Sequence, residues 1–177
     1  MSLALFQAAR IPPRYWVPKA DPFLTYPEAL QWWEERHQMV RDGRGLVAIS
    51  DSDAPLAGMV ELLKRMITRG GAAWVPPDMA ASWAYRCIDA TNVMLLDLGE
   101  DLEQLADGED LYVSARKAAV LVLANCGAYQ KNNWMYPQLL LHRYNEQLVT
   151  FVHFCITSTP MATITSMAAQ IRKEQGR

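Results

Sequence analysis

The chain has 177 residues, 51% of them hydrophobic, which is enough apolar mass for one sizeable core and too little length for two independent domains. Acids and bases are interspersed and the formal net charge is -2, which excludes a broad basic field able to hold nucleic acid by phosphate neutralisation alone. Cys87, Cys126 and Cys155 lie in apolar surroundings, and their odd count suits reduced thiols and a cytoplasmic location better than a disulfide framework.

The first 27 residues are punctuated by Pro12, Pro13, Pro18, Pro22 and Pro27, and an irregular arm is expected because each proline lacks an amide donor and restricts its predecessor. No leader peptide and no membrane span are expected in the sequence. From Glu28 to Val40 the apolar positions Ala29, Leu30, Trp32, Trp33 and Val40 sit among charges, which predicts an amphipathic helix ended by Asp42-Gly43. Gly45–Ile49 is an unalternating apolar run that leaves into Ser50-Asp51-Ser52-Asp53, the form of a buried strand followed by a loop. Leu56, Met59, Val60, Leu63 and Ile67 then give the face of a helix over Leu56–Thr68, stopped near Arg69-Gly70-Gly71.

Ala72–Val75 reads as a second strand and Pro77-Asp78 as a helix start, with the helix over Met79–Ile88. Asn92–Asp110 has no decided element. Ala118–Leu123 reads as a central parallel strand, Pro137–Gln147 as a helix, Leu148–Ile156 as another buried strand and Ala162–Lys173 as a terminal helix. Strands alternating with helices predict a parallel sheet covered on both faces.

Several of these pieces, in order from Ala9 to Pro160, resemble the AAA+ ATPase core of the DnaC/DnaI/IstB helicase-loader family. Ile11-Pro12-Pro13-Arg14-Tyr15 is similar to its "IPxRY" arm, and Gly43–Ile49 to its "GxGLxLxG" strand. Ala119–Gly127 is similar to the "DLLILDDLG" Walker B strand, and Leu139–Tyr144 with Phe154–Thr159 to the segment that carries sensor 1. The resemblance implies a three-layer P-loop fold with a parallel sheet, here without the full C-terminal lid: an arm over residues 1–27 and one AAA+-like domain over 28–177.

The departures from that pattern converge on one ligand. A working P-loop, GxxxxGK[ST], cradles phosphate with backbone amides, contacts it with a lysine and ligates magnesium with a hydroxyl. The corresponding stretch here runs from Ser50 through Asp51, Ser52, Asp53, Ala54 and Pro55 to Leu56 and Ala57, with Leu56 in the lysine position and Ala57 in the hydroxyl position. Pro55 has no amide, and the aspartates would set negative charge beside a polyphosphate. Ala124-Asn125 stands where Walker B supplies its carboxylates, and Thr159 where the sensor asparagine would be. A competing Walker B register, Val93–Gly99, retains Asp97 but adds no P-loop lysine. The expectation is a pseudo-ATPase with no catalytic residue, no cofactor and no metal.

Other side chains suggest contacts. Arg143 matches the helix end from which the family can project an arginine into a neighbour's nucleotide site, although helix C-termini also favour arginine as a structural residue. Trp16, Trp32 and Trp33 could present an apolar patch to a partner or be buried by the folded-back arm. The loop Tyr129–Tyr136 combines rings with a cation, as single-strand binders do, but packing onto the sheet is the stronger reading and nucleic-acid binding is expected to be weak. His37, His142 and His153 have no ligand spacing with the cysteines, and Glu34-Glu35 and Glu100-Asp101 read as solvated helix faces. The functional expectation is a protein that contacts a helicase, a loader or an active ATPase paralogue in DNA replication or mobile-element biology. Its alternatives are an inhibitor that mimics a loader subunit, and an enzyme with an atypical nucleotide or metal site at the Asp51–Asp53 loop.

Overall fold

The structure is a computed structural model that describes residues 3–69, 74–79, 92–98, 109–126, 135–155, 169 and 172–173. Four parallel strands, β1 (Val47–Ser50), β2 (Val93–Asp97), β3 (Val120–Cys126) and β4 (Val149–Cys155), form one sheet in the order β1-β4-β3-β2. Both faces are buried, which is why the strands read as continuous apolar runs instead of alternating ones. Alternate residues still part to opposite sides, and each side has its own core. Ala48, Val93, Leu95, Val120, Val122, Val149 and Phe151 meet the long helix α5 (Ala54–Arg69). Met94, Leu96, Leu121, Leu123, Val152 and Phe154 meet the face covered by α6 (Glu109–Lys117) and α7 (Met135–Asn145). This is an α/β sandwich of helices, sheet and helices, as expected.

The arm is more regular than its prolines suggest. It forms α1 (Leu3–Ala8), a 3-10 turn (Pro13–Tyr15) and α2 (Pro22–Thr25). Pro13, Pro22 and Pro27 each sit in the first turn of a helical segment, where a missing amide costs nothing, so the prolines start short helices. Asp21 caps α2 by accepting from the Phe23 amide at 3.0 Å. Phe6, Ala9, Ile11, Tyr15 and Phe23 join the core beside α5. The Ala9 carbonyl also accepts from Leu95 N–H on β2 at 2.9 Å, covering part of that strand's outer edge.

The single helix expected over Glu28–Val40 is two, α3 (Pro27–Glu34) and α4 (Arg36–Arg41), with Glu35 off helical geometry between them. Gly43 ends α4 at φ +65, and Arg44 N–H bonds back to the Met39 carbonyl at 2.8 Å, the long bond of a Schellman ending. At Gly45 a Cβ would lie 1.7 Å from the Thr150 carbonyl oxygen, so only glycine allows the chain this close to β4 as it enters β1.

The second strand is placed differently from expectation. Trp74 and Val75 are buried but lie in a turn and bend, while β2 is Val93–Asp97, in the stretch that had no decided element. The competing register Val93–Gly99 thus includes a strand of the sheet, next to β3. The helix expected over Met79–Ile88, the part Tyr129–Trp134 of the loop Tyr129–Tyr136 and the segment Ile156–Pro160 lie, beyond Met79, outside the described residues, as does most of the terminal helix; within it, Arg172 donates to the Val47 carbonyl at 3.5 Å.

Candidate functional site

Parallel strands bring their carboxyl ends to one edge, where ligands of open α/β sheets bind. At this edge stand the turn Ser50–Asp53 after β1, Asp97 at the end of β2, Asn125 near the end of β3 and His153 on β4. These are the pieces that the resemblance compares with a P-loop and Walker B, together with Asp97 from the competing register.

The turn is closed upon itself. The Ser52 amide donates to Ser50 Oγ at 2.9 Å and the Ala54 amide to Ser52 Oγ at 3.4 Å. The Ala57 amide donates to the Asp53 carbonyl at 2.9 Å as α5 begins, and Pro55 has no amide to offer. Leu56, in the lysine position, is 1% exposed and packed in the core. Ala57 is partly buried against the same core.

The arm reaches this turn. Tyr15 Oη donates to both carboxylate oxygens of Asp53 at 2.7 Å, and the Arg14 guanidinium lies over the Tyr15 ring at 4.7 Å. Burial, then the bond to Asp53, raises the Tyr15 pKa above its usual value, so the hydroxyl remains a donor. The Arg14 pKa is raised: its burial works against this, but Tyr15, Asp53 and Asp97 outweigh it.

Deeper in, β3 carries one more residue than β4 between Leu123↔Val152 and Cys126↔Phe154, a bulge that puts Asn125 at φ 55. Its side-chain amide donates to both oxygens of the buried Asp97 at 3.0 Å. Ala124 is fully buried beneath them, and its carbonyl accepts from Leu98 N–H at 2.9 Å. The two candidate Walker B registers thus end side by side and meet in one amide–carboxylate pair. His153 is 2% exposed, and neither ring nitrogen has a hydrogen-bond partner among the described residues. Burial holds its pKa below the usual imidazole value, opposed by Asp53, the Ser52 backbone and Asp97. Burial, reinforced by Asp97, also pushes the Cys126 thiol up, which keeps it protonated and unreactive.

For Arg143, Trp32 and Trp33 the structure shows the packing alternative, not exposure to a partner. Arg143 is fully buried at the opposite, amino end of the strands. Its Nε donates to Thr150 Oγ1 at 2.8 Å, one terminal nitrogen to the Ala115 and Ala118 carbonyls at 2.8 and 2.7 Å, and the other to the Val149 carbonyl at 2.7 Å. Burial lowers its pKa to about 9, still high enough to keep the cation, and carbonyls at the end of α6 and the start of β4 hold it inside the fold. Trp32 and Trp33 are core residues, not a surface patch. Trp32 meets Phe151 edge-on at 5.0 Å and donates Nε1–H to the Arg44 carbonyl at 2.9 Å. Trp33 is 6% exposed, and Trp16 is partly buried with its Nε1–H on the Ile11 carbonyl at 2.8 Å. Aromatic bulk at helical spacing produced packing, because the arm and α3 close over α5.

Ser50 and Asn125 are intermediate in exposure and Asp53 is exposed, so the turn forms the accessible rim of this edge; Thr159 lies outside the described residues. The residues that the sequence reading did not single out here are Tyr15 and His153. Tyr15 carried a signal, its place in the arm motif, but nothing in the sequence shows that the arm returns to Asp53. No protein-family model, curated protein or solved structure matches the chain. No helix among the described residues is long and apolar enough to cross a membrane.

Proposed function

We propose that this chain is a P-loop-like core that has abandoned ATP-magnesium and acts by protein contact, on a helicase, a helicase loader or an active ATPase paralogue, as its resemblance to the DnaC/IstB family implies. The observation that carries the reading is the closed turn after β1. Its amides bond to Ser50 and Ser52, Leu56 fills the core where a lysine would reach outward, and Asp53 presents a carboxylate held by Tyr15. A triphosphate would have to displace these bonds and then lie beside negative charge without a compensating cation from the turn.

Contact in place of chemistry is also supported by where apolar surface remains. Val17 and Leu24 are 82% and 80% exposed and Leu3, Leu5 and Leu30 are exposed as well, so most of the exposed large hydrophobics among the described residues lie on the first 30, with Leu141 and Tyr144 on α7. Calorimetry with ATP-magnesium is expected to show no binding, and a micromolar affinity would overturn the reading. Pull-down with purified helicase and loader is expected to capture a partner, and Leu24→Asp to weaken that capture. A helicase-loading assay on the captured complex then separates a helper from an inhibitory mimic. The alternative of a metal-dependent site at the Asp51–Asp53 loop draws less support, because both carboxylate oxygens of Asp53 already face the Tyr15 hydroxyl.

A further inference from the structure

The guanidiniums of Arg36, Arg65 and Arg69 gather on Trp33, at 4.8, 6.0 and 5.7 Å from the ring centroid, and Arg65 also lies 4.2 Å over Phe23. Arg65 and Arg69 are one turn apart on α5, so both project from the same helix face. Only one carboxylate answers the three among the described residues: Glu61, 3.4 Å from Arg65, which it shares with Lys64 at 3.0 Å. Arg36 donates to the Trp33 carbonyl at 2.9 Å, while its buried Nε has no partner among the described residues. Attraction to the rings restricts these guanidiniums, which lowers the entropy lost when an anion binds.

Exposed leucines lie on the same two helices that carry the rings, α2 and α3. Leu24, 80% exposed, follows Phe23 in α2, and Leu30, 37% exposed, stands one turn before Trp33 on α3. We propose that this arginine–leucine face docks an acidic amphipathic segment, such as a helix with carboxylates and leucines on one side, of a protein partner. Charge complementarity supplies the carboxylates and the exposed leucines require apolar counterparts. A nucleic-acid backbone fits less well, because it would leave the leucines unpaired and Trp33 is covered against base stacking. The proposal rests on the contact-protein reading but not on the state of the turn after β1.

The test is fluorescence anisotropy of the full chain with three labelled probes: a helical peptide of about 16 residues, roughly 24 Å long, with Glu and Leu on one face; poly-glutamate of similar length; and oligothymidylate of about 20 nucleotides. The amphipathic peptide is expected to bind best, with affinity falling as salt rises. Arg65→Ala/Arg69→Ala and, separately, Leu24→Asp should each weaken it about tenfold. Leu24 and Arg69 are exposed, so Leu24→Asp and Arg69→Ala alone provide variants that keep the fold. No binding of the amphipathic peptide, equal binding by all variants, or tighter binding of poly-glutamate or oligothymidylate would overturn the proposal. None of these results depends on ATP calorimetry, so the two readings fail separately.

Discussion

The two ends of the sheet handle buried polarity in opposite ways. At the amino end Arg143 keeps its charge, because carbonyls from the end of α6 and the start of β4, with the Thr150 hydroxyl, surround all three nitrogens. At the carboxyl end His153 is also buried but its ring nitrogens make no well-formed hydrogen bond among the described residues, and burial favours the neutral ring against the opposing pull of Asp53, the Ser52 backbone and Asp97. A buried charge that is tied to the backbone is a structural pin; a buried imidazole with free nitrogens leaves its end of the sheet sensitive to protons. The arginine that the family resemblance nominated for function belongs to the first kind, and His153, at the edge that carries the turn after β1, belongs to the second.

The largest test of that contrast is Arg143→Met. It removes the cation and leaves several carbonyls unanswered, and denaturant unfolding is expected to show a loss of about 3–5 kcal/mol. A change within about 0.5 kcal/mol, the range of an ordinary surface substitution, would break the comparison. Next comes Asn125→Ala, expected to cost about 2–3 kcal/mol by removing the amide from Asp97 and straining a residue at positive φ. Asn125→Gly relieves the backbone strain and should cost less; the reverse order would show that the bulge geometry plays no part.

The histidine effect is smaller and depends on pH. Because the folded state depresses the His153 pKa, the unfolded chain binds the proton first as pH falls below about 6.5. This part of the stability is intact above that value and drains away toward the folded pKa, by at most about 1.4 kcal/mol per pH unit. Thermal melts between neutral pH and mild acid should therefore be flatter for His153→Leu than for the parent chain. Equal slopes would mean that the ring finds a partner for its proton inside the fold.

What the sequence disclosed and what it hid follow from the range of the forces involved. The apolar runs at 47–50, 120–126 and 149–155 were legible because strands buried on both faces need unbroken hydrophobicity, and the α5 face because its spacing is helical. β2 was obscured by Trp74-Val75, which is just as apolar but packs as a turn, since period and burial cannot separate a short strand from a buried loop. At the site, the apolar Leu56 and the missing amide at Pro55 could be read directly, because they are properties of single residues. The Tyr15–Asp53 bond, spanning 38 positions, could not, nor could the burial of Arg143 and of the tryptophans, because those depend on how the arm and α7 close over the sheet.

The smallest effect concerns how the arm grips the turn. Tyr15 is 8% exposed and its ring packs in the core whether or not the hydroxyl is present, so Tyr15→Phe removes the bond to Asp53 and little else. Asp53 is exposed, and water competes for its oxygens, so the loss is expected to be about 1 kcal/mol or less. A double-mutant cycle of Tyr15→Phe and Asp53→Ala, read by denaturant unfolding, isolates that contact from the packing of the ring. A coupling of several tenths of a kcal/mol or more would establish the arm as a fastener on the turn after β1. Strict additivity would mean that the arm is held by Phe6, Ile11 and Phe23 alone, and that the closed state of the turn is the work of Ser50, Ser52 and Pro55.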